Sequence, residues 1–399
     1  MKKLIFPLIV IAILSVTLVS ATPTNPGIIR VFVHSDNPII RGLLDVQHEF
    51  PNGFSAKVSE AQLGLLNVLG IETEQVQLYH VTGRPTCNDN GVCEPELGEN
   101  PSCGDCKPSE EEPPANRTCY PDNQMPWGIL RVNGGSGGAD IDVAILDTGV
   151  YREHLDLTRR IEQCKDFTMG PRVKGSCKDI HGHGTHVAGT VAADGGEDGL
   201  GIFGVAPEAD ILAYKVCGSD GYCWTDDVAA GIRYAATHGA EIISISLGGD
   251  SQSSLIKDAI DFAVSKGALL VAAAGNTGPS EGSILYPAAN VKVIAVGAIN
   301  SAENVASWSS RGVNDGDYII EEKEVEFGAP GVSIESTYIN GCYGYKGGTS
   351  MAAPHISGLA AKLWQGNAAD TRTYLQSIAK DIWTAGDDSA TGFGLPIAP

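Results

Sequence analysis

The sequence predicts an α/β fold, a largely parallel sheet with helices on both faces, preceded by a small α+β unit. Two patterns carry this expectation. From residue 120 onward, short apolar runs alternate with amphipathic stretches at helical spacing, and such alternation is the mark of parallel strands joined by crossover helices. Ahead of it, residues 84–118 lose all periodicity and fill with Pro, Gly, Glu and Cys, which marks a linker between two folded parts. A chain of 399 residues with 43% hydrophobic content is long enough for one large core and one smaller one.

The elements follow in order. Residues 1–21 combine Lys2 and Lys3, an apolar run and a small-residue ending, Val19-Ser20-Ala21, as in a cleaved export signal. An uncleaved membrane anchor is the alternative, since the run approaches the roughly 18 residues that span a bilayer. Residues 22–83 form the first folded part, with a strand over 28–34, a helix over 61–69 and a second strand over 74–81. Residues 119–399 form the larger domain. Its strands are expected at 141–146, 211–216, 242–245, 268–273 and 293–296, and its helices near 183–193, 226–238, 254–266 and 350–364.

Charge and cysteine content narrow the function. A formal net charge of −21 argues against a nucleic-acid partner, whose phosphates call for clustered Lys and Arg. Ten cysteines in an exported chain point to disulfides. Within the linker, Cys87, Cys93, Cys103 and Cys106 favour two disulfides, a zinc knot being the alternative. Asn116-Arg117-Thr118 is a glycosylation sequon.

Four segments carry chemistry, and each has a plain structural reading beside the functional one. Asp147 ends an apolar strand in Ala-Ile-Leu-Asp-Thr-Gly-Val, where it either caps a turn or delivers a carboxylate to the sheet's rim. His183 lies in a segment with His181 and His186, which reads as nucleophile activation or as a zinc site. Ser350, in Gly-Gly-Thr-Ser-Met-Ala-Ala-Pro-His, is an N-cap or a nucleophile whose N–H and helix dipole face a developing oxyanion. Asn276, in Ala-Ala-Gly-Asn-Thr-Gly, is a turn residue or a second oxyanion donor. All four sit at strand ends or helix starts, on what would be one face of the sheet.

Taken together, Leu-Asp-Thr-Gly-Val, His-Gly-Thr-His-Val-Ala-Gly, Ser-Leu-Gly-Gly, Ala-Ala-Gly-Asn and Gly-Thr-Ser-Met-Ala-Ala-Pro-His resemble the hallmark segments of subtilisin-like serine proteases, over about residues 122–395. The resemblance implies a Ser-His-Asp endopeptidase with Asp147, His183 and Ser350 as triad, and with Asn276 and the N–H of Ser350 as oxyanion hole. His181 and His186 then become framework residues. Gly221, Tyr222 and Cys223, and Ser246, Leu247, Gly248 and Gly249, resemble the strands that pair with an extended substrate. A Cys217–Cys223 disulfide, which the family pattern does not supply, would stiffen the first of them. Leu285 matches a position at the mouth of the pocket for the residue before the cut, where its bulk should disfavour the largest aromatic side chains.

The family often binds structural calcium. The matching positions are Asp156 and Asp198, with backbone oxygens near Gly196, Leu200 and Ile202 and the amide of Asn123; a solvated acidic loop is the alternative. The segments Arg30-Val-Phe-Val and His48-Glu-Phe-Pro-Asn-Gly-Phe-Ser-Ala-Lys57 resemble an inhibitory propeptide. Its removal by self-cleavage would come near His80 or closer to Cys119. The implied partners are polypeptide substrates and the chain's own propeptide; a secreted monomer is expected. The alternative class is a peptide-binding protein that keeps the fold without catalysis.

Overall fold

A computed structural model describes residues 28–82, 119–171 and 173–399. The expected signal segment, the four clustered cysteines of the linker and the Asn116 sequon lie outside the described residues. The chain forms two compact units, one reaching to Gln77 and including Met169–Val173, the other holding Leu78–Thr168 and Lys174–Pro399.

In the first unit, β1 (Ile28–Val33), α1 (Pro38–Gly42), β2 (Asp45–Phe50), β3 (Gly53–Ser59), α2 (Glu60–Val68) and β4 (Thr73–Gln75) make an antiparallel sheet of order β2-β3-β1-β4 with two short helices. Ser59 starts α2 because its hydroxyl accepts from Gln62 N at 3.2 Å while Gln62 Oε1 accepts from Ser59 N at 2.9 Å. Alternating Val31, Val33, Phe54, Ala56 and Val58 meet Leu66 of α2 in a separate core.

The second unit begins with β5 (Leu78–Val81) and α3 (Trp127–Arg131). Then come β6 (Asp142–Asp147), β7 (Ile161–Asp166), α4 (His183–Ala192), β8 (Asp210–Lys215), β9 (Tyr222–Trp224), α5 (Thr225–Thr237), β10 (Ile242–Ile245) and β11 (Leu247–Gly248). It continues through α6 (Ser254–Ser265), β12 (Leu269–Ala273), β13 (Val293–Ile299), β14 (Phe327–Pro330), β15 (Ile334–Thr337), β16 (Tyr343–Lys346), α7 (Thr349–Lys362) and α8 (Ala368–Ser377). Seven strands form a parallel sheet of order β14-β13-β12-β10-β6-β8-β7. The α/β expectation holds.

Strand β12 is apolar throughout, and β10 apart from Ser244, because both faces are covered. On one face Val143, Ile145, Val271 and Val296 share a core with Val187 and Val191 of α4 and with Met351, Ile356 and Leu359 of α7. On the other face α5 lies so close that a Cβ on Gly231 would press against Leu146 and Val216. The chain leaves β6 toward β8 on one side and places β10 on the other. The carboxyl ends of β6 and β10 therefore border the crevice where such sheets bind ligands.

One expected element is corrected. The strand predicted over 74–81 is two, β4 and β5, which pair in different sheets and belong to different units. Apolar residues recur across the break, at Val76, Leu78, Tyr79 and Val81, so apolar content alone does not register the change of partner. The edge strands β7 and β14 were not foreseen; β7 is mostly polar and half-buried, and β14 ends in proline. Among the described residues no helix is long and apolar enough to cross a membrane. Disulfides join Cys119 to Cys342, Cys164 to Cys177 and Cys217 to Cys223.

Candidate active site

Strand β6 ends on Asp147, and α4 opens on His183. The turn into α4 depends on Gly182, whose φ of 88° lies in the left-handed region that side chains disfavour. The His183 Nδ1 sits 2.8 Å from Asp147 Oδ1 and 3.0 Å from Oδ2, and both residues are almost fully buried. A carboxylate bridging Nδ1 fixes the imidazole with Nε2 free to take a proton. Among the described residues His183 Nε2 has no hydrogen-bond partner.

Asp179, which the sequence reading passed over, holds this corner together. Its Oδ1 accepts from Thr148 Oγ1 at 3.0 Å and from the N–H groups of His181 and Gly182, both at 2.9 Å. Its Oδ2 accepts from Thr185 N at 3.0 Å and Thr185 Oγ1 at 2.7 Å. It thereby ties the residue after Asp147 to the segment around His183. The signal was available, since an Asp three residues before a Gly-capped helix start is well placed to satisfy unpaired N–H groups.

Ser350 lies in the first turn of α7, facing the ends of β10 and β12. Its Oγ donates to Ser246 O at 3.0 Å and lies 2.6 Å from Thr82 Oγ1. Asn276 follows β12, and its Oδ1 accepts from Thr349 N at 3.0 Å and Thr349 Oγ1 at 3.1 Å. That pair orients the amide so that Nδ2 donates to the carbonyl of Thr82. Residues 78–82 thus run into the space beside Ser350 as a strand of this unit.

That strand, β5, is the middle member of a three-stranded antiparallel sheet between β11 and β9. Tyr79 faces Cys223 and His80 faces Tyr222 on one side, while His80 faces Gly248 and Val81 faces Leu247 on the other. Val81 N donates to Gly221 O at 2.9 Å and Thr82 N to Ser246 O at 3.2 Å. Every residue expected to flank an extended substrate from 221–223 and 246–248 therefore flanks this segment, and Gly249 packs against Tyr79. A sequence profile of the Subtilase family matches residues 138–394.

The chain belongs to the subtilase family. "Subtilisin" from Bacillus sp. (strain TA39) is 48% identical over 300 residues, covering 68% of this chain and 71% of that protein. "Subtilisin BL" from Lederbergia lenta is 38% identical over 278 residues, covering 68% of this chain and 96% of that one. Among solved structures, sphericase superposes with a TM-score of 0.68 at 46% identity, covering 70% of this chain and all (100%) of that one. The S41 psychrophilic protease gives 0.68 at 45% identity with 70% of this chain covered. As a subtilase, the chain is a serine endopeptidase with the subtilisin fold.

Other features of this subtilase follow from its geometry. The three imidazoles of the His181 segment do not share one centre: His186 Nε2 is bonded to the carbonyls of Ile334 (2.8 Å) and Gly344 (3.1 Å), and His183 Nδ1 to Asp147. Burial holds the pKa of His181 below the usual imidazole range and that of His186 well below it. Lys346, before α7, is also pushed down by burial, opposed by Asp179 and Asp147. Leu285 is buried, and its side chain fills the space between the bare α-carbons of Gly248 and Gly275.

The expected calcium residues form an oxygen-rich loop. Asp156 is fully buried, and its Oδ2 accepts from Ile202 N at 2.9 Å and from Tyr343 OH at 2.6 Å. The loop closes so tightly over this carboxylate that Gly201 has no room for a Cβ. Asp198 is exposed, with Oδ1 accepting from Leu200 N at 3.0 Å. The amide that reaches the loop carbonyls, at Gly199 (2.5 Å) and Gly201 (3.2 Å), is that of Gln124. Asn123 beside it is held through its backbone N to Glu335 Oε2 at 3.1 Å. Hard oxygen donors of this kind suit Ca²⁺.

Proposed function

We propose that this subtilase is a secreted precursor that cleaves itself after Thr82 and then hydrolyses other polypeptides, with Ser350 as nucleophile, His183 as general base and Asp147 as its orienting partner. One observation carries this reading: residues 78–82 lie in the cleft as a substrate would, with the Thr82 carbonyl on Asn276 Nδ2 and the Thr82 side chain against Ser350 Oγ.

The chemistry follows from these contacts. The Ser350 hydroxyl swings from Ser246 O and Thr82 Oγ1 to His183 Nε2, which takes its proton as the Ser350 oxygen bonds to the Thr82 carbonyl carbon. The oxyanion is stabilised by Asn276 Nδ2 and the N–H of Ser350. Collapse breaks the bond between Thr82 and Gly83, His183 hands its proton to the departing amine, and water then hydrolyses the ester. Asp147 stays ionised and stabilises the imidazolium. The fragment ending at Thr82 remains as a product-like inhibitor until it is lost, and Leu285 restricts the cleft to small residues at the position of Thr82.

The experiment that tests this reading is labelling of the matured enzyme with a fluorophosphonate. It should add one label, on Ser350, and abolish casein digestion; label elsewhere with digestion intact would refute the assignment. Export would be checked by finding the chain in the medium. A calcium ion bound through Asp156, Asp198 and the loop carbonyls would cross-link the 194–202 loop to the buried carboxylate. Chelation with EGTA should then lower Tm, and an unchanged Tm would refute that site.

A further inference from the structure

Residues 78–81 alternate between solvent and protein, with Leu78 and His80 exposed and Tyr79 and Val81 buried. Tyr79 is 1% exposed and among the largest fully buried side chains. Its ring lies against Gly249, where any Cβ would collide with it. Gly249 is itself fixed, exchanging two backbone hydrogen bonds of 2.9 Å with Tyr286.

An apolar wall alone would hold any ring of this size. Here the end of the pocket is polar: the Tyr79 hydroxyl donates to Ser251 O at 2.5 Å. Burial drives the phenol's pKa far above its usual range, and a backbone hydrogen bond at Ser253 offsets part of that rise. The hydroxyl is therefore kept neutral and able to donate, with the backbone of residues 251–253 around it. A phenylalanine ring in the same place would leave the Ser251 carbonyl without this partner, and sites built to hydrogen-bond a hydroxyl discriminate against the analogue lacking it.

We propose that residues 249–253 form a hydroxyl-accepting subsite, which makes the enzyme select tyrosine over phenylalanine four residues before the scissile bond. The inference rests on the endopeptidase reading above and adds a determinant that the triad does not supply. Its substrates are extended segments with tyrosine at that position, followed by one residue turned to solvent, a buried aliphatic residue and a small residue at the cut.

The test compares acetyl-Leu-Tyr-His-Val-Thr-p-nitroanilide with its Phe and Ala counterparts, using enzyme matured from the full chain and counted by fluorophosphonate titration. The tyrosine peptide should exceed the phenylalanine peptide in kcat/KM by about tenfold, the scale of one net hydrogen bond. In Gly249→Ala, where the ring can no longer seat, that advantage should vanish. Equal rates for Tyr and Phe with the serine fully titrated would overturn the subsite and leave the endopeptidase standing, and so would an advantage that persists in Gly249→Ala. Failure of all peptides in enzyme that takes no label would overturn the endopeptidase reading and the subsite together.

Discussion

The two ends of β6 carry one aspartate each, and their fates differ. At the amino end Asp142 faces Asp210 across the ladder; at the carboxyl end Asp147 faces Lys215. Asp142, Glu162 and Asp210 bring carboxylate oxygens within 4.8 Å of one another, and Glu241 Oε2 accepts from Asp142 N at 2.9 Å. Burial, then repulsion from Glu241, raises the Asp142 pKa to about 6. Asp147 instead has His183 against its carboxylate and the N–H of Thr148 at 2.7 Å from Oδ1. Strand register is common to both ends, so the difference comes from what the loops deliver. Helices α4 and α7 begin at the carboxyl end with His183 and Ser350 in their first turns, and their N-termini favour negative charge there. Acidic groups crowd at the amino end, where Arg160 approaches Asp210 only to 3.9 Å.

Changes at the carboxyl end should therefore cost activity, and changes at the amino end should alter only stability. Asn276→Ala is expected to have the largest effect of the point changes: kcat should fall on the scale documented for removing this donor from a subtilisin, about 10²–10³-fold, with KM little altered. An unchanged kcat would remove Asn276 from the oxyanion hole. Leu285→Gly should open the space between Gly248 and Gly275, raising kcat/KM for phenylalanine relative to threonine at the cut by about tenfold or more. An unaltered ratio would show that Leu285 does not shape that pocket.

The smallest effect is expected at the other end of the strand. The folded pKa of Asp142, about 6, lies above the ordinary carboxyl value of 3.8, so its favourable contribution is complete below about pH 4 and is lost as pH rises through 6. Asp142→Asn should therefore stabilise the protein at pH 8 and not at pH 3.5. Because the group is partly exposed, screening reduces the gain to roughly 1 kcal/mol. Denaturant unfolding in an inactive Ser350→Ala background, which prevents self-digestion, would measure it. Equal stability at both pH values, or a large loss of casein digestion in the active background, would break the contrast between the two ends.

Much of this was legible in the sequence. The inner strands β6, β8, β10, β12 and β13 lie within a residue or a few of their predicted bounds, because a strand covered on both faces is apolar along most of its length. The site motifs were legible for a related reason: each is a short contiguous run at a strand end or helix start. What depends on distant contacts was not. Edge strands need only one neighbour and tolerate polar residues, as β7 does. Four of the hydrogen bonds gathered by Asp179 are local, but the fifth, from Thr148, exists only once the end of β6 is brought beside 179–185. Likewise, nothing local in 78–82 tells that these residues leave the first sheet and continue between β9 and β11, or that Tyr79 meets the carbonyl of Ser251.

The central claim is that the bond after Thr82 lies in the reach of Ser350, and mass spectrometry of the expressed precursor tests it most directly. The account predicts that the parent chain releases a fragment ending at Thr82 and then digests casein, while Ser350→Ala stays whole and inert. A Ser350→Ala chain that is trimmed and active alone in its tube, or a parent that never cuts after Thr82, would contradict it.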